Sequence, residues 1–96
     1  MRQFMEGLLK EELRILALNT REQLNLTQSK MAEKLVMCDH SYSDIEIGQN
    51  MCGTLTAFLL LSTLEDPNAF ITKTKEKLEK LSQEKMKSEE GGMQLK

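Results

Sequence analysis

The sequence predicts an all-α fold built from five helices, and three observations support that prediction. Apolar residues recur at the three- and four-residue spacing of amphipathic helices through most of the chain. The hydrophobic fraction is 40%, rich in Leu and Met with only 4% aromatic residues, which suits packing between helices. The 96 residues suffice for one compact core and one appended element.

The first predicted helix covers residues 8–24. Its core-facing stripe recurs at helical spacing and consists of Leu9, Leu13, Leu16, Thr20 and Leu24, with Ala17 beside it. Asn25 follows directly, and asparagine tolerates the left-handed conformation in which many helices end. Residues 1–6 remain unassigned.

Two short helices follow, at residues 28–35 and 39–47. Thr27 is an N-cap type of residue before the first, and Asp39 opens the second. Only residues 36–38 separate the two helices, so they must cross at a large angle, as in a helix-turn-helix. Val36 stands where such turns often carry glycine, and we expect a turn of slightly different conformation there.

A fourth helix is predicted at residues 55–64, with Thr54 as its N-cap. It is apolar nearly all round, so we expect it to be covered on two sides. Asp66 and Pro67 form the start signal of a fifth helix. The predicted organisation is therefore a helix-turn-helix domain at residues 1–66, a C-terminal helix at 67–88 and a disordered tail at 89–96.

The fifth helix carries a short apolar seam made of Ile71, Leu78 and Leu81. Thr74 and Lys85 interrupt its heptad positions. The seam could cover Phe58 and Leu60 of its own chain, pair with a second chain, or do both. A charged, solvated helix without such a role is the other interpretation.

A set of residues around the predicted turn identifies a family. The set comprises Leu26, Thr27 and Gln28, then Ala32, Glu33, Lys34 and Leu35, then Ser41, Ser43, Ile45 and Glu46, and finally Gly48. Over residues 8–64 the chain thereby resembles the Cro/repressor-type (XRE family) helix-turn-helix transcriptional regulators. The resemblance implies a lambda-repressor-like domain that binds double-stranded DNA, and we expect a homodimer that pairs through the fifth helix.

The resemblance also implies which residues contact DNA. Those expected to read bases in the major groove, or to lie beside them, are Cys38, Asp39, His40, Ser41 and Asp44. Those expected to contact phosphates are Thr27 and Gln28 at the start of the second helix and Gln49 and Asn50 in the loop after the third. Arg21 and Glu46 match a partly buried salt bridge that joins the first and third helices.

The chemistry of these side chains leaves their roles open. His40 could donate a hydrogen bond to guanine, and Asp39 and Asp44 could accept from the amino group of cytosine. Both aspartates also repel nearby phosphates. The alternative is that Asp39 only stabilises a helix N-terminus and Asp44 is a solvated charge.

Charge argues against nucleic-acid binding. The chain has a formal net charge of −2, whereas a basic footprint is the usual sign of a DNA-binding domain. Residues 8–66 hold five basic and nine acidic side chains, so this part of the chain is at −4. The second function that we consider is therefore a helix-turn-helix fold used for protein association, or as an antitoxin-like partner with weak or no DNA binding.

Other function classes find less support in the residues. One histidine, no Ser/His/Asp set and no glycine-rich phosphate loop predict a protein that is not an enzyme. No metal or small-molecule cofactor is expected, because Cys38 and Cys52 lack the CxxC spacing of a zinc site. No run reaches the ~20 apolar residues of a membrane span and no signal-peptide core is present, so we expect a cytoplasmic protein.

Cys38 has two interpretations. A thiol at a helix N-terminus can have a lowered pKa and act as a redox sensor. The neighbouring Asp39 opposes thiolate formation, which favours a simple capping role in place of serine.

Overall fold

The computed structural model describes residues 1–94, with side chains through Glu84, and this part of the chain forms five α-helices. They are α1 (Arg2–Gln23), α2 (Gln28–Lys34), α3 (Asp39–Glu46), α4 (Thr54–Ser62) and α5 (Pro67–Gln94). No β-strand occurs within residues 1–94, so the predicted all-α class is confirmed.

At three of the predicted helix boundaries, the structure shows the local feature from which the boundary is predicted. The Thr27 hydroxyl accepts a hydrogen bond from the Lys30 backbone N–H at 3.1 Å and caps α2. The Asp66 carboxylate accepts from the Ala69 N–H at 3.3 Å, ahead of Pro67 at the first position of α5. Asn25, at φ 56°, takes the left-handed conformation just after α1.

Other boundaries differ from the predicted ones. Helix α1 begins at Arg2 with Met1 as its N-cap residue, so it includes residues 2–6, which the sequence pattern leaves unassigned. The N-cap of α4 is Gly53 and Thr54 lies inside the helix, so the prediction of Thr54 as a cap is wrong. Helix α5 passes through both glycines near its end and reaches Gln94, beyond the predicted boundary at residue 88, while residues 95–96 lie outside the described part.

The core lies where α2 and α3 pack against α1, and Leu60 of α4 closes it. Its buried members share almost complete exclusion from solvent and are Ala17, Met31, Ala32, Leu35, Tyr42 and Leu60. Ala32 allows the two short helices to approach closely, because a larger side chain would not fit between backbones at such a crossing. Each fully buried Leu or Met contributes about 1.5–3 kcal/mol relative to an exposed one.

Helix α4, which is apolar nearly all round, is not covered along its whole surface. Leu60 is buried, but Leu55 and Phe58 are 62% and 66% exposed. Helix α5 packs along α1 instead, and the Lys77 ammonium lies 2.7 Å from the Glu12 carboxylate at that contact. The packing of α5 on its own chain thus leaves Phe58 in solvent.

The predicted seam of α5 is only partly used in this packing. Thr74 is buried, Leu78 and Leu81 are half-buried, and Ile71 remains 47% exposed. Among the described residues, no helix is both long enough and apolar enough to cross a membrane.

Candidate nucleic-acid interface

The turn between α2 and α3 is held in a left-handed conformation at Val36. Its φ is 56°, and its side chain is 75% exposed. The Met37 N–H donates to the Ala32 carbonyl at 3.0 Å, which closes the turn. Val36 therefore adopts the conformation that glycine commonly supplies, at a cost of about 1–2 kcal/mol for an L-residue. The turn thus keeps a left-handed residue at position 36 although that residue is Val, and the expected change of turn conformation does not occur.

A buried network centred on Glu46 joins α1, α2 and α3. The Arg21 guanidinium donates from Nε to Glu46 Oε2 at 2.6 Å and from Nη2 to Oε1 at 3.2 Å. Gln28 Nε2 donates to Oε1 at 2.9 Å, and the Tyr42 hydroxyl donates to Oε2. The structure therefore contains the Arg21–Glu46 ion pair, with the Glu46 side chain only 5% exposed.

This network sets the ionisation of its members. Burial raises the pKa of Glu46, but the hydrogen bonds from Arg21, Tyr42 and Gln28 outweigh burial and hold that pKa below its ordinary value. Burial, together with the adjacent Glu46 carboxylate, raises the pKa of Tyr42. Glu46 is thus ionised and Tyr42 neutral at neutral pH, and the ion pair with Arg21 joins α3 to α1.

The N-terminal end of α3 presents short polar side chains to solvent. Cys38, Asp39 and His40 are exposed, and Ser41 is half-buried. The Cys38 thiol lies 3.1 Å from the Ser41 hydroxyl. Three consecutive accessible residues at a helix N-terminus are the kind of surface that a recognition helix offers to base edges.

Asp44 differs from these three, because the protein itself contacts its carboxylate. The side chain is 16% exposed, and Oδ2 lies 3.5 Å from His40 Nε2. Asn50 Nδ2 donates to the same oxygen at 3.3 Å. Asp44 therefore links the surface of α3 to the loop after it, and its free acceptor capacity toward a base is reduced.

The two residues at the start of α2 are also engaged. The Thr27 hydroxyl caps the helix, and one Gln28 amide hydrogen is used by Glu46. Both residues are exposed, and Gln28 keeps a second amide hydrogen and its side-chain oxygen. Gln49 and Asn50 lie exposed in the loop that follows Gly48. The site residues thus lie on three segments that contact one another: α2 and the loop after Gly48 are each hydrogen-bonded to α3.

Few basic side chains are available to this surface. Arg21 is committed to Glu46, and Arg14 is paired with Glu11 at 2.5 Å. Lys30 lies 3.5 Å from Glu33, which leaves Lys34 as the remaining cation on α2. A phosphate contact made by this surface would therefore depend mainly on backbone N–H groups and polar side chains.

The two cysteines are free and differ in environment. Hydrogen bonds from the side chain and backbone of Ser41 lower the pKa of the exposed Cys38 thiol. Burial raises the pKa of the Cys52 thiol. Cys38 is the N-cap residue of α3, and these contacts with Ser41, three residues further on, keep its thiol at the first turn of that helix.

Sequence reasoning missed the full extent of the Glu46 network. Tyr42 and Glu46 are four residues apart on one helix, a spacing that places them on the same face and could have indicated their contact. The contact of Gln28 with Glu46 spans 18 positions and has no local signal. Arg14 Nη1, 3.4 Å from the Glu46 carbonyl, was likewise not expected.

Comparison with known proteins returns no match of this chain to a protein-family model, to a curated protein or to a solved structure.

Proposed function

We propose that this chain is a sequence-specific DNA-binding transcriptional regulator of the Cro/repressor type. The observation that carries the proposal is the α2–turn–α3 unit, which the Glu46 network holds against α1 while the N-terminal end of α3 remains open to solvent. In this arrangement α3 enters the major groove, and Asp39, His40 and Ser41 contact base edges. Gln28 and the loop after Gly48 contact the phosphates.

Dimerisation belongs to the same proposal. Exposed apolar side chains on α4 and α5, namely Leu55, Phe58 and Ile71, supply a surface for a second copy of the chain. Two copies would present two α3 helices to a two-fold symmetric duplex.

Selection from a pool of random-sequence duplexes tests the proposal. We expect enrichment of a two-fold symmetric sequence, with binding that persists when the salt concentration is raised. His40→Ala should weaken binding to the enriched duplex by about tenfold, the discrimination that one base contact supplies. Asn68→Ala, an exposed change on α5, is the matched control and should bind as the parent does.

A second candidate is a protein-association module, which two observations favour. The region of residues 8–66 carries a net charge of −4, and the apolar side chains of Leu55, Phe58 and Ile71 are largely exposed. A chain that dimerises by sedimentation equilibrium, loses the dimer on Phe58→Ser and enriches no duplex would support association in place of DNA binding.

A further inference from the structure

An apolar groove opens where α1, α4 and α5 meet, and exposed apolar side chains of α4 lie beside it. The groove has a volume of about 340 Å³, and α4 lines it with Ala57 and Leu61. Residues three apart on an α-helix are separated by about 60° around its axis. Phe58 and Leu55 therefore continue the row that Leu61 begins, away from the groove and into solvent. The groove and these two side chains form one apolar surface.

This surface has a projection and a recess on the same helix. Phe58 is 66% exposed, whereas Ala57, the residue before it, lines the groove with only a methyl group. The groove is large enough for a phenyl ring, because an apolar cavity of about 150 Å³ already holds benzene. A two-fold interface brings the same patch of two copies together, so that patch must be complementary to itself. A projecting aromatic ring beside an apolar recess meets this requirement.

The α4 part of the surface carries no charge. Residues 54–64 contain no charged side chain, although Leu55, Phe58 and Ser62 are exposed. The solvent face of a helix normally carries charged and polar residues, and the buried centre of a protein–protein interface is depleted of charge. A nucleic acid or a strongly charged protein therefore finds no counter-charge on α4, whereas a second copy presents the same uncharged face.

The size of the surface limits how tightly two copies can associate. An aromatic side chain buries about 150–250 Å², so the exposed 66% of Phe58 corresponds to about 100–165 Å². Leu55 and Ile71, which are 62% and 47% exposed, each add an area of the same order. The patch therefore amounts to roughly a few hundred Å² per copy, against about 800 Å² per partner in a stable complex. Two copies should associate only weakly in free solution.

We propose that this surface is a weak two-fold interface in which Phe58 of each copy inserts into the apolar groove of the other. The two insertions are equivalent, and each groove is filled only when the second copy is present. On a two-fold symmetric duplex, neighbouring half-sites raise the effective concentration of the two copies, so the protein binds DNA cooperatively. This cooperativity rests on the proposed DNA-binding function, whereas the insertion itself does not.

Sedimentation equilibrium of the intact protein without DNA, up to millimolar concentration, tests the insertion. We expect a reversible dimer with a dissociation constant weaker than about 1 μM. Phe58→Ala removes the inserted ring, and Ala57→Leu fills the groove, so each should weaken the dimer about tenfold or more. Val36→Ala is the matched control, because it shortens an exposed apolar side chain in the α2–α3 turn and should leave the dimer unchanged.

A mixture of the two variants distinguishes an insertion from a direct contact between two Phe58 rings. Ala57→Leu keeps the ring and lacks the groove, whereas Phe58→Ala keeps the groove and lacks the ring. One insertion is possible between them, so the mixture should associate more tightly than either variant alone. Circular dichroism checks the folding of both, and Phe58→Ala, at an exposed position, keeps the test valid if Ala57→Leu does not fold.

Three results would overturn the proposal. They are a parent that stays monomeric at millimolar concentration, a Phe58→Ala variant that dimerises as the parent does, and a mixture of folded variants that associates no better than each alone. On the enriched duplex, Phe58→Ala should lose cooperativity but bind a single half-site as the parent does. A parent that dimerises through Phe58 yet enriches no duplex would support the insertion and contradict only the DNA-binding function.

Discussion

Glu46 receives hydrogen bonds from three helices, and this makes it the residue on which the domain most depends. Arg21 reaches it from α1, Gln28 from α2 and Tyr42 from its own helix. A buried carboxylate is tolerated only while its two oxygens accept hydrogen bonds and its charge is paired. Loss of one donor should therefore lower the free energy of unfolding of the whole domain.

Arg21→Ala should lower the free energy of unfolding by about 3 kcal/mol, because it leaves the Glu46 carboxylate buried without its counter-charge. Urea unfolding at neutral pH measures the change. Arg2→Ala is the matched control, since its ion pair with Glu6 is exposed and should contribute little. A melting temperature that Arg21→Ala leaves unchanged would contradict this account of the pair.

Acid should weaken the domain through Glu46. The pKa of Glu46 in the folded protein lies below the ordinary value of 4.5. Folding therefore favours the ionised form, so its contribution is complete above pH 4.5 and is lost as the pH falls through the folded pKa. Glu46→Gln should be less stable than the parent at pH 7, with a smaller difference at pH 3. A difference of equal size at both pH values would refute the assignment.

In the turn between α2 and α3, the backbone conformation is one that its residue, Val36, rarely adopts. Val36 is β-branched, yet it takes a left-handed conformation, and its exposed side chain gains little packing in return. A glycine would take that conformation without a steric clash.

Val36→Gly should stabilise the domain by about 1 kcal/mol, the relief of strain less the added chain entropy of glycine in the unfolded state. Val36→Ala tests the reason, since alanine keeps the left-handed strain and should gain less. Both are measured by thermal unfolding. A lower melting temperature for Val36→Gly would mean that the valine side chain contributes more than its exposure indicates.

Elements could be predicted from sequence where short-range chemistry determines them. The Thr27 cap, the left-handed Asn25 and the Asp66–Pro67 start each depend on residues within one turn. The start of α4 was placed one residue late, because Gly53 and Thr54 are both acceptable N-caps.

Long-range contacts were predicted only where the family resemblance implied them. It implied the Arg21–Glu46 pair, but the roles of Gln28 and Asn50 inside the molecule depend on side chains brought together by folding. For the same reason the helical pattern could not show that α5 would pack on α1 and leave Phe58 uncovered.

At the scale of the whole molecule, the charge distribution limits how DNA could be bound. Arg14 and Arg21 are engaged within the protein, so the α3 surface has few cations to exchange for the counterions of DNA. The logarithm of the affinity should therefore fall only shallowly with the logarithm of salt concentration, as measured by fluorescence anisotropy. A slope equivalent to about six or more phosphates per chain would show that other basic residues face the DNA.

The two aspartates of α3 provide the most direct test of the proposed function. Asp39 is exposed, and Asp44 is partly covered by His40 and Asn50. Changing both to Asn preserves their size while removing two negative charges per chain. In a protein that reads DNA with α3, repulsion of phosphates should fall, and selectivity at the contacted base pairs should fall with it.

The measurement is the affinity of the parent and of the Asp39→Asn, Asp44→Asn double variant for the enriched duplex and for a scrambled duplex of the same composition. DNA reading by α3 predicts that the double variant binds the scrambled duplex more tightly than the parent does and discriminates less between the two. Asp66→Asn, which also removes a carboxylate but lies at the start of α5, should leave the discrimination unchanged. A parent that shifts no duplex, together with a double variant that binds DNA no better, would contradict the proposed function.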